Sequence, residues 1–196
     1  MEATFPWVER PEVGAKEIPS RAEVQLDAED VILLILEGNE RLLGKRQLQG
    51  ITRLEKLVFL LQRETDFEGI ATLFVFKPYL FGPFSEEVQL AVNFLEGIHL
   101  IEVSVADLER SESELDEDFL TDVGERRVEY RYELTDKGRR VAAMWRSSLP
   151  RSDLDAIDTV VRRYGTMRLS QLIRYVYRKY PKTTSKSIHP EARRNQ

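Results

Sequence analysis

Two stretches, residues 99–105 and 128–134, alternate polar and apolar side chains, whereas the apolar residues before and after them recur at helical spacing. Alternation with period two marks a half-buried strand. Between the two stretches lies a run of carboxylates, and unpaired charges of that density cannot be buried. The strands are therefore expected to pair as a hairpin whose connection stands in water. Three segments of helical period precede them. The order helix, helix, helix, strand, long loop, strand predicts a winged-helix-like core with an enlarged wing.

The helical segments read as follows. Residues 28–37 are almost wholly apolar at their centre and run into Gly38 and Asn39, which predicts a short buried helix with a glycine stop. Residues 42–50 read as a polar turn rich in glycine and cations. Thr52 and Glu55 have capping-box spacing, and Leu54, Leu57, Val58 and Leu61 form the apolar stripe of a second helix. Residues 72–76 are β-branched and aromatic enough for a short strand. Residues 81–85 form a turn, with Ser85 as N-cap of a third helix that runs to about Glu96 and buries Val88, Ala91, Val92 and Leu95. After the hairpin, Thr135 caps a helix that reaches Trp145, and Pro150 interrupts. Ser152 caps another, which buries Leu154, Ile157, Val161 and Tyr164 before Gly165. The last helix, 168–180, buries Leu169, Leu172, Ile173, Val176 and Tyr180, and Pro181 ends it. The expectation is a mainly α protein with a small antiparallel β-hairpin. Its parts are an irregular arm (1–26) pinned by Phe5 and Trp7, a winged-helix-like core (27–148) with an acidic wing loop (107–125), a C-terminal helical hairpin (149–181) and a basic flexible tail (182–196).

With 196 residues, of which 42% are hydrophobic, the chain has material for one main core. The absence of cysteine removes disulfides, thiolate metal sites and a cysteine nucleophile, and fits a reducing cytoplasm. The apolar run from Val31 to Leu36 is far below the roughly 20 residues of a membrane-spanning helix, and the polar N-terminus has no signal-peptide pattern. His99 and His189 have no partner at metal-ligand spacing. Residues 43–46 lack the glycine pattern and Lys-Ser/Thr ending of a P-loop, and neither a dinucleotide fingerprint nor a nucleophile elbow occurs. The reading is a non-enzymatic protein with no cofactor and no metal.

The net charge of -5 conceals an asymmetry along the chain. Glu109, Glu112, Glu114, Asp116, Glu117 and Asp118 crowd the wing loop, whereas cations dominate from Arg162 onward. A winged helix that reads DNA does so with its third helix and wing. Here the outward side of that helix is expected to offer Ser85, Glu86, Gln89, Asn93 and Glu96, none of them cationic. Phosphate binding then falls to other residues. Lys45, Arg46, Arg53 and Lys56 surround the start of the second helix, whose amides also favour an anion. Arg168, Arg174, Tyr175, Arg178, Lys179 and Lys182 mark the outward side of the last helix and its continuation. A solvated basic face is the plain alternative. Two functions compete: a regulator that binds DNA or RNA through these basic helices, and a protein-interaction module, such as an antitoxin or complex subunit, that uses the acidic wing. Precedent favours the first and electrostatics the second, and the sequence reading leans to the nucleic-acid-binding regulator by analogy with other winged helices. The opposed charges also suit pairing between the subunits of a homodimer.

Four stretches carry a family resemblance: Gly50-Ile-Thr-Arg-Leu-Glu-Lys-Leu-Val-Phe-Leu-Leu61, Pro78-Tyr-Leu-Phe-Gly-Pro-Phe-Ser85, Tyr132-Glu-Leu-Thr-Asp-Lys-Gly138 and Tyr175-Val-Tyr-Arg-Lys-Tyr-Pro181. Over roughly residues 27 to 188 the chain resembles the YwgA-like family of bacteria and archaea, and more remotely the Panacea antitoxin domain. The resemblance implies a winged-helix-like fold and, through the remoter relatives, regulation or toxin neutralisation by binding. Leu80 and Phe81 depart slightly from the aromatic that typically precedes Gly-Pro in the family.

Overall fold

The computed structural model describes residues 26–107 and 128–183. Helix α1 (Ala28–Leu43) starts where Asp30 accepts the backbone N–H of Asp27 at 3.0 Å. Val31 through Leu36 are all buried. A helix apolar on every side has to be covered on every side, and α1 is the central post against which three later helices pack. The helix does not stop at Gly38, as the sequence reading has it. Gly38 lies inside α1 against Val161 of α5 (Arg151–Tyr164), where a Cβ would come 3.2 Å from Val161 Cγ2. This glycine serves close helix approach, and the stop falls at Gly44, whose φ of 66° is the left-handed cap conformation.

The supposed polar turn after α1 contains a strand, β1 (Gln47–Gln49), which pairs antiparallel with β5 (Val128–Leu134). The Asn39 amide donates to the carbonyls of Lys45 and Gln47 and holds the chain as it enters this strand. β5 also pairs with β4 (Ile101–Asp107), so the sheet order is β1-β5-β4. Helix α2 (Ile51–Glu64) follows Gly50. The expected Thr52–Glu55 capping box is not formed, because Glu55 turns into the interior.

Residues 72–76 are not a strand. They form a turn and a linker whose aromatic residues pack inward: Phe76 lies edge-on to Phe59 at 5.1 Å, and the Gln62 amide gathers the carbonyls of Ile70, Ala71 and Phe74. The strands fall a few residues later, β2 (Lys77–Tyr79) against β3 (Gly82–Phe84), turning at Leu80 and Phe81. Helix α3 (Glu86–Gly97) buries Val88, Ala91, Val92 and Leu95, as its period predicts. Ser85 sits at its N-cap, but the Ser85 hydroxyl donates to Glu87 and caps no amide.

Thr135 does cap α4 (Asp136–Ser148), accepting the N–H of Gly138 at 3.0 Å. Pro150, not Ser152, immediately precedes α5, and α6 (Leu169–Lys179) completes the helices. The protein is mainly α with a small antiparallel sheet. The order α1-β1-α2-β2-β3-α3-β4-β5, with β1 closing on the β4–β5 hairpin, is that of a winged helix with an extra β2–β3 hairpin between its second and third helices. The later helices belong to the same core: Leu154, Ile157, Val160, Tyr164, Leu172 and Val176 share one hydrophobic cluster with α1 and α2. Among the described residues no helix is long and apolar enough to cross a membrane. The irregular arm, the acidic wing loop and the tail beyond residue 183 lie outside the described residues, apart from their first or last positions.

Candidate functional site

The ten residues proposed from sequence for phosphate binding do not form one surface. Arg53 and Lys56 are buried, which corrects the expectation that they flank the start of α2 in water. Arg53 donates to the carbonyl of Met167 at 2.6 Å, tying α2 to the α5–α6 connection. Lys56 is 1% exposed; its Nζ donates to the carbonyl of Pro83 at 3.0 Å and lies 3.4 Å from Glu55. Burial pulls the Lys56 ammonium down to about 8 despite that carboxylate, and burial likewise pushes Glu55 up. Gln89 of α3 donates to the other Glu55 oxygen at 3.1 Å. The charged pair thus holds α2, α3 and the β2–β3 hairpin together.

A second polar joint gathers at Glu64, the last residue of α2, whose side chain is 7% exposed. The hydroxyls of Tyr164, Tyr175 (2.8 Å) and Tyr180 (3.0 Å) donate to its carboxylate, and Lys179 Nζ approaches at 2.9 Å. Burial alone would raise this carboxyl, but the bonds from Tyr164, Lys179, Tyr175 and Tyr180 outweigh it and hold Glu64 below its usual value. Tyr175 and Lys179 are therefore committed to a strut between α2 and α6, and Arg174 is half-buried beside them. Arg46 is exposed but pairs with Glu133 at 3.0 Å. Lys45, Arg168, Arg178 and Lys182 are exposed and, among the described residues, make no ion pair. The six wing carboxylates, Glu109, Glu112, Glu114, Asp116, Glu117 and Asp118, lie outside the described residues.

The outward face of α3 differs from the face read in sequence. Ser85 is buried, whereas Glu86, Asn93 and Glu96 are exposed as expected. Alongside them runs a second apolar stripe: Leu90 is 66% exposed, Phe94 54% and Ile98 36%. These positions are four residues apart, so they lie one above another on adjacent turns. The signal was legible in the sequence, since α3 carries two apolar stripes and the core needs only one. No lysine or arginine occurs on α3.

Phe94 and Ile98 also border a groove of about 260 Å³ between α3, the first turn of α1 and α4, with Leu33 and Val141 among its apolar lining. Asp27, Glu29 and Asp30 of α1 form its acidic edge. Burial raises the Asp30 carboxyl, partly offset by the N–H of Asp27. At the Ile98 end the Lys137 ammonium donates to the Ile98 carbonyl at 3.0 Å. Among the described residues no group of three or more His, Asp or Glu side chains is placed to hold a metal ion.

No protein-family model and no curated protein matches the chain. The four stretches singled out in the sequence have structural work in this fold. Lys56 of the first bonds the Pro83 carbonyl of the second, Thr135 of the third caps α4, and Tyr175 and Tyr180 of the fourth bind Glu64.

Proposed function

We propose that this is a non-enzymatic winged-helix module that acts by docking a protein partner on the outer face of α3. The observation that carries the reading is the exposed stripe of Leu90, Phe94 and Ile98 on a helix with three glutamates and no cation. Large apolar residues scattered singly on a surface need no explanation, but an aligned set beside a groove marks an interaction site. Phosphate would meet carboxylates on this helix, and phosphate contacts supply most nucleic-acid affinity. A regulatory or antitoxin-like role in the cytoplasm fits the family resemblance and the cysteine-free composition, and remains part of the proposal.

Nucleic-acid binding is the second reading, and the exposed Arg168, Arg178 and Lys182 at the two ends of α6 favour it. The two separate in one experiment. A displayed library of random helical peptides is selected on the full-length protein and on its Leu90→Ser/Phe94→Ser variant, beside a salt series with labelled duplex DNA and single-stranded RNA. The protein-docking reading expects peptides that enrich on the wild type alone. Low-salt nucleic-acid binding that disappears in Arg178→Ala/Lys182→Ala, with no peptide enrichment, would move the function to α6.

A further inference from the structure

Resting on that reading, we infer that the partner presents a basic amphipathic segment, which seats one apolar side chain in the groove between α1, α3 and α4 and sets a lysine or arginine against Asp27, Glu29 and Asp30. The groove's volume of about 260 Å³ falls below the roughly 300–1,000 Å³ typical of small-molecule sites, a size that suits a single anchoring side chain. Phe94 and Ile98 continue out of the groove onto the open face of α3, and Leu90 lies one turn further along. A ligand that follows them needs apolar residues on one side at helical spacing, which is the helix-in-groove mode of recognition.

Charge chooses the rest of the partner. Asp27, Glu29 and Asp30 border the groove on the α1 side, and Glu86 and Glu96 stand exposed on α3. Among the described residues no cation pairs with Asp27, Glu29, Asp30 or Glu96, whereas Glu86 is met by Lys77 at 3.2 Å. Lys137 donates to the carbonyl of Ile98, a residue that borders the groove. The partner's cation therefore belongs beside Asp27, Glu29 and Asp30 and away from Lys137. A second copy of this chain that docked α3 on α3 would set Glu86, Glu87 and Glu96 against their own equivalents, which like-charge repulsion disfavours. The chain's own residues 1–25 carry five acids against three cations and match the acidic edge poorly.

The test titrates full-length protein, with its Ile, Leu and Val methyl groups labelled for NMR, with three peptides of about 16 residues, four to five helical turns. The first is an amphipathic helix of Leu, Ala and Lys; the second replaces every Lys by Glu; the third scrambles the first so that it has no apolar face. The inference expects the first peptide to bind and to shift the methyls of Leu90, Ile98 and Val141, with the other two at least about 10-fold weaker. Phe94→Ser should weaken binding by about 30-fold, the effect of losing an interface hot spot. Glu29→Lys should weaken it without disturbing the apolar groove, which serves as the check should Phe94→Ser be poorly folded. Equal binding of the Glu peptide or of the scrambled one overturns the basic amphipathic partner. So does a concentration-dependent dimer abolished by Phe94→Ser, or a shift of the same methyls when Phe5 and Trp7 are replaced by Ser in the absence of peptide. Failure here is distinguishable from failure of the docking reading: a library that enriches neutral or acidic peptides through Leu90 and Phe94 keeps that reading and removes this one.

Discussion

At the scale of single residues, two charged side chains of α2, Lys56 and Glu64, make opposite predictions. Lys56 titrates at about 8 in the folded protein against 10.5 for an ordinary lysine. Between those values the unfolded chain holds the extra proton, so this group makes stability rise with pH from about 8 to 10.5, and that gain is lost as pH falls through 8. Urea unfolding across this range should show the rise in the wild type and a flatter dependence in Lys56→Met. At neutral pH the same variant strands Glu55 without its cation and should cost about 3–5 kcal/mol, with Glu55→Gln/Lys56→Met recovering most of it. A double variant as unstable as the single one would show that packing, and not the stranded charge, sets the cost. Glu64 behaves in the reverse sense. Its folded value is depressed, so its stabilisation is present above the ordinary carboxyl value of 4.5 and disappears as pH falls through the depressed one. Glu64→Gln keeps the shape but removes the charge that three tyrosine hydroxyls and Lys179 address. The expected loss is about 1.5–3 kcal/mol, together with a weaker acid-side decline in the unfolding midpoint.

At the scale of elements, the β2–β3 hairpin is held by Lys56 from below and Tyr177 from the side. Gly82 has φ 94°, and a Cβ there would lie 2.9 Å from Tyr177 Cε1. Gly82→Ala should therefore cost at least about 1 kcal/mol, read as a lower denaturant midpoint with unchanged m. The third helix and the β4–β5 hairpin were legible in the sequence because Val88, Ala91, Val92 and Leu95 keep the helical period and residues 128–134 keep the period of two. β1 was not legible: Leu48 is its one buried apolar residue, flanked by glutamines, and a three-residue strand leaves no alternation to count. Gly38 was misread because a packing glycine and a stopping glycine look alike until the partner helix is known. Arg53 and Lys56 near a helix start resemble solvated cations, and only Met167 and Pro83, far along the chain, reveal their burial. The Glu64 joint draws Tyr164, Tyr175 and Tyr180 from about a hundred residues away, a separation no local pattern records.

At the scale of the whole molecule, α1 is covered by α3, α4 and α5, and a lattice of ion pairs fastens its polar edge. Arg139 meets Glu40 at 3.0 Å, while Arg41 and Arg146 share Glu37 and Asp158. The winged-helix layout is thus braced on the side of the later helices and, among the described residues, leaves the outer face of α3 uncovered. Leu90 and Phe94 contribute little to this frame. Leu90→Ser/Phe94→Ser should leave stability within about 1 kcal/mol of wild type, as exposed positions usually do, with the thermal midpoint as the check. The measurement that tests the central claim is the affinity of a library-selected ligand for two surface variants side by side, Leu90→Ser/Phe94→Ser and Arg178→Ala/Lys182→Ala. Docking on α3 predicts a loss of about 30-fold or more in the first and little change in the second; a ligand indifferent to Leu90 and Phe94 but lost with Arg178 and Lys182 would contradict it.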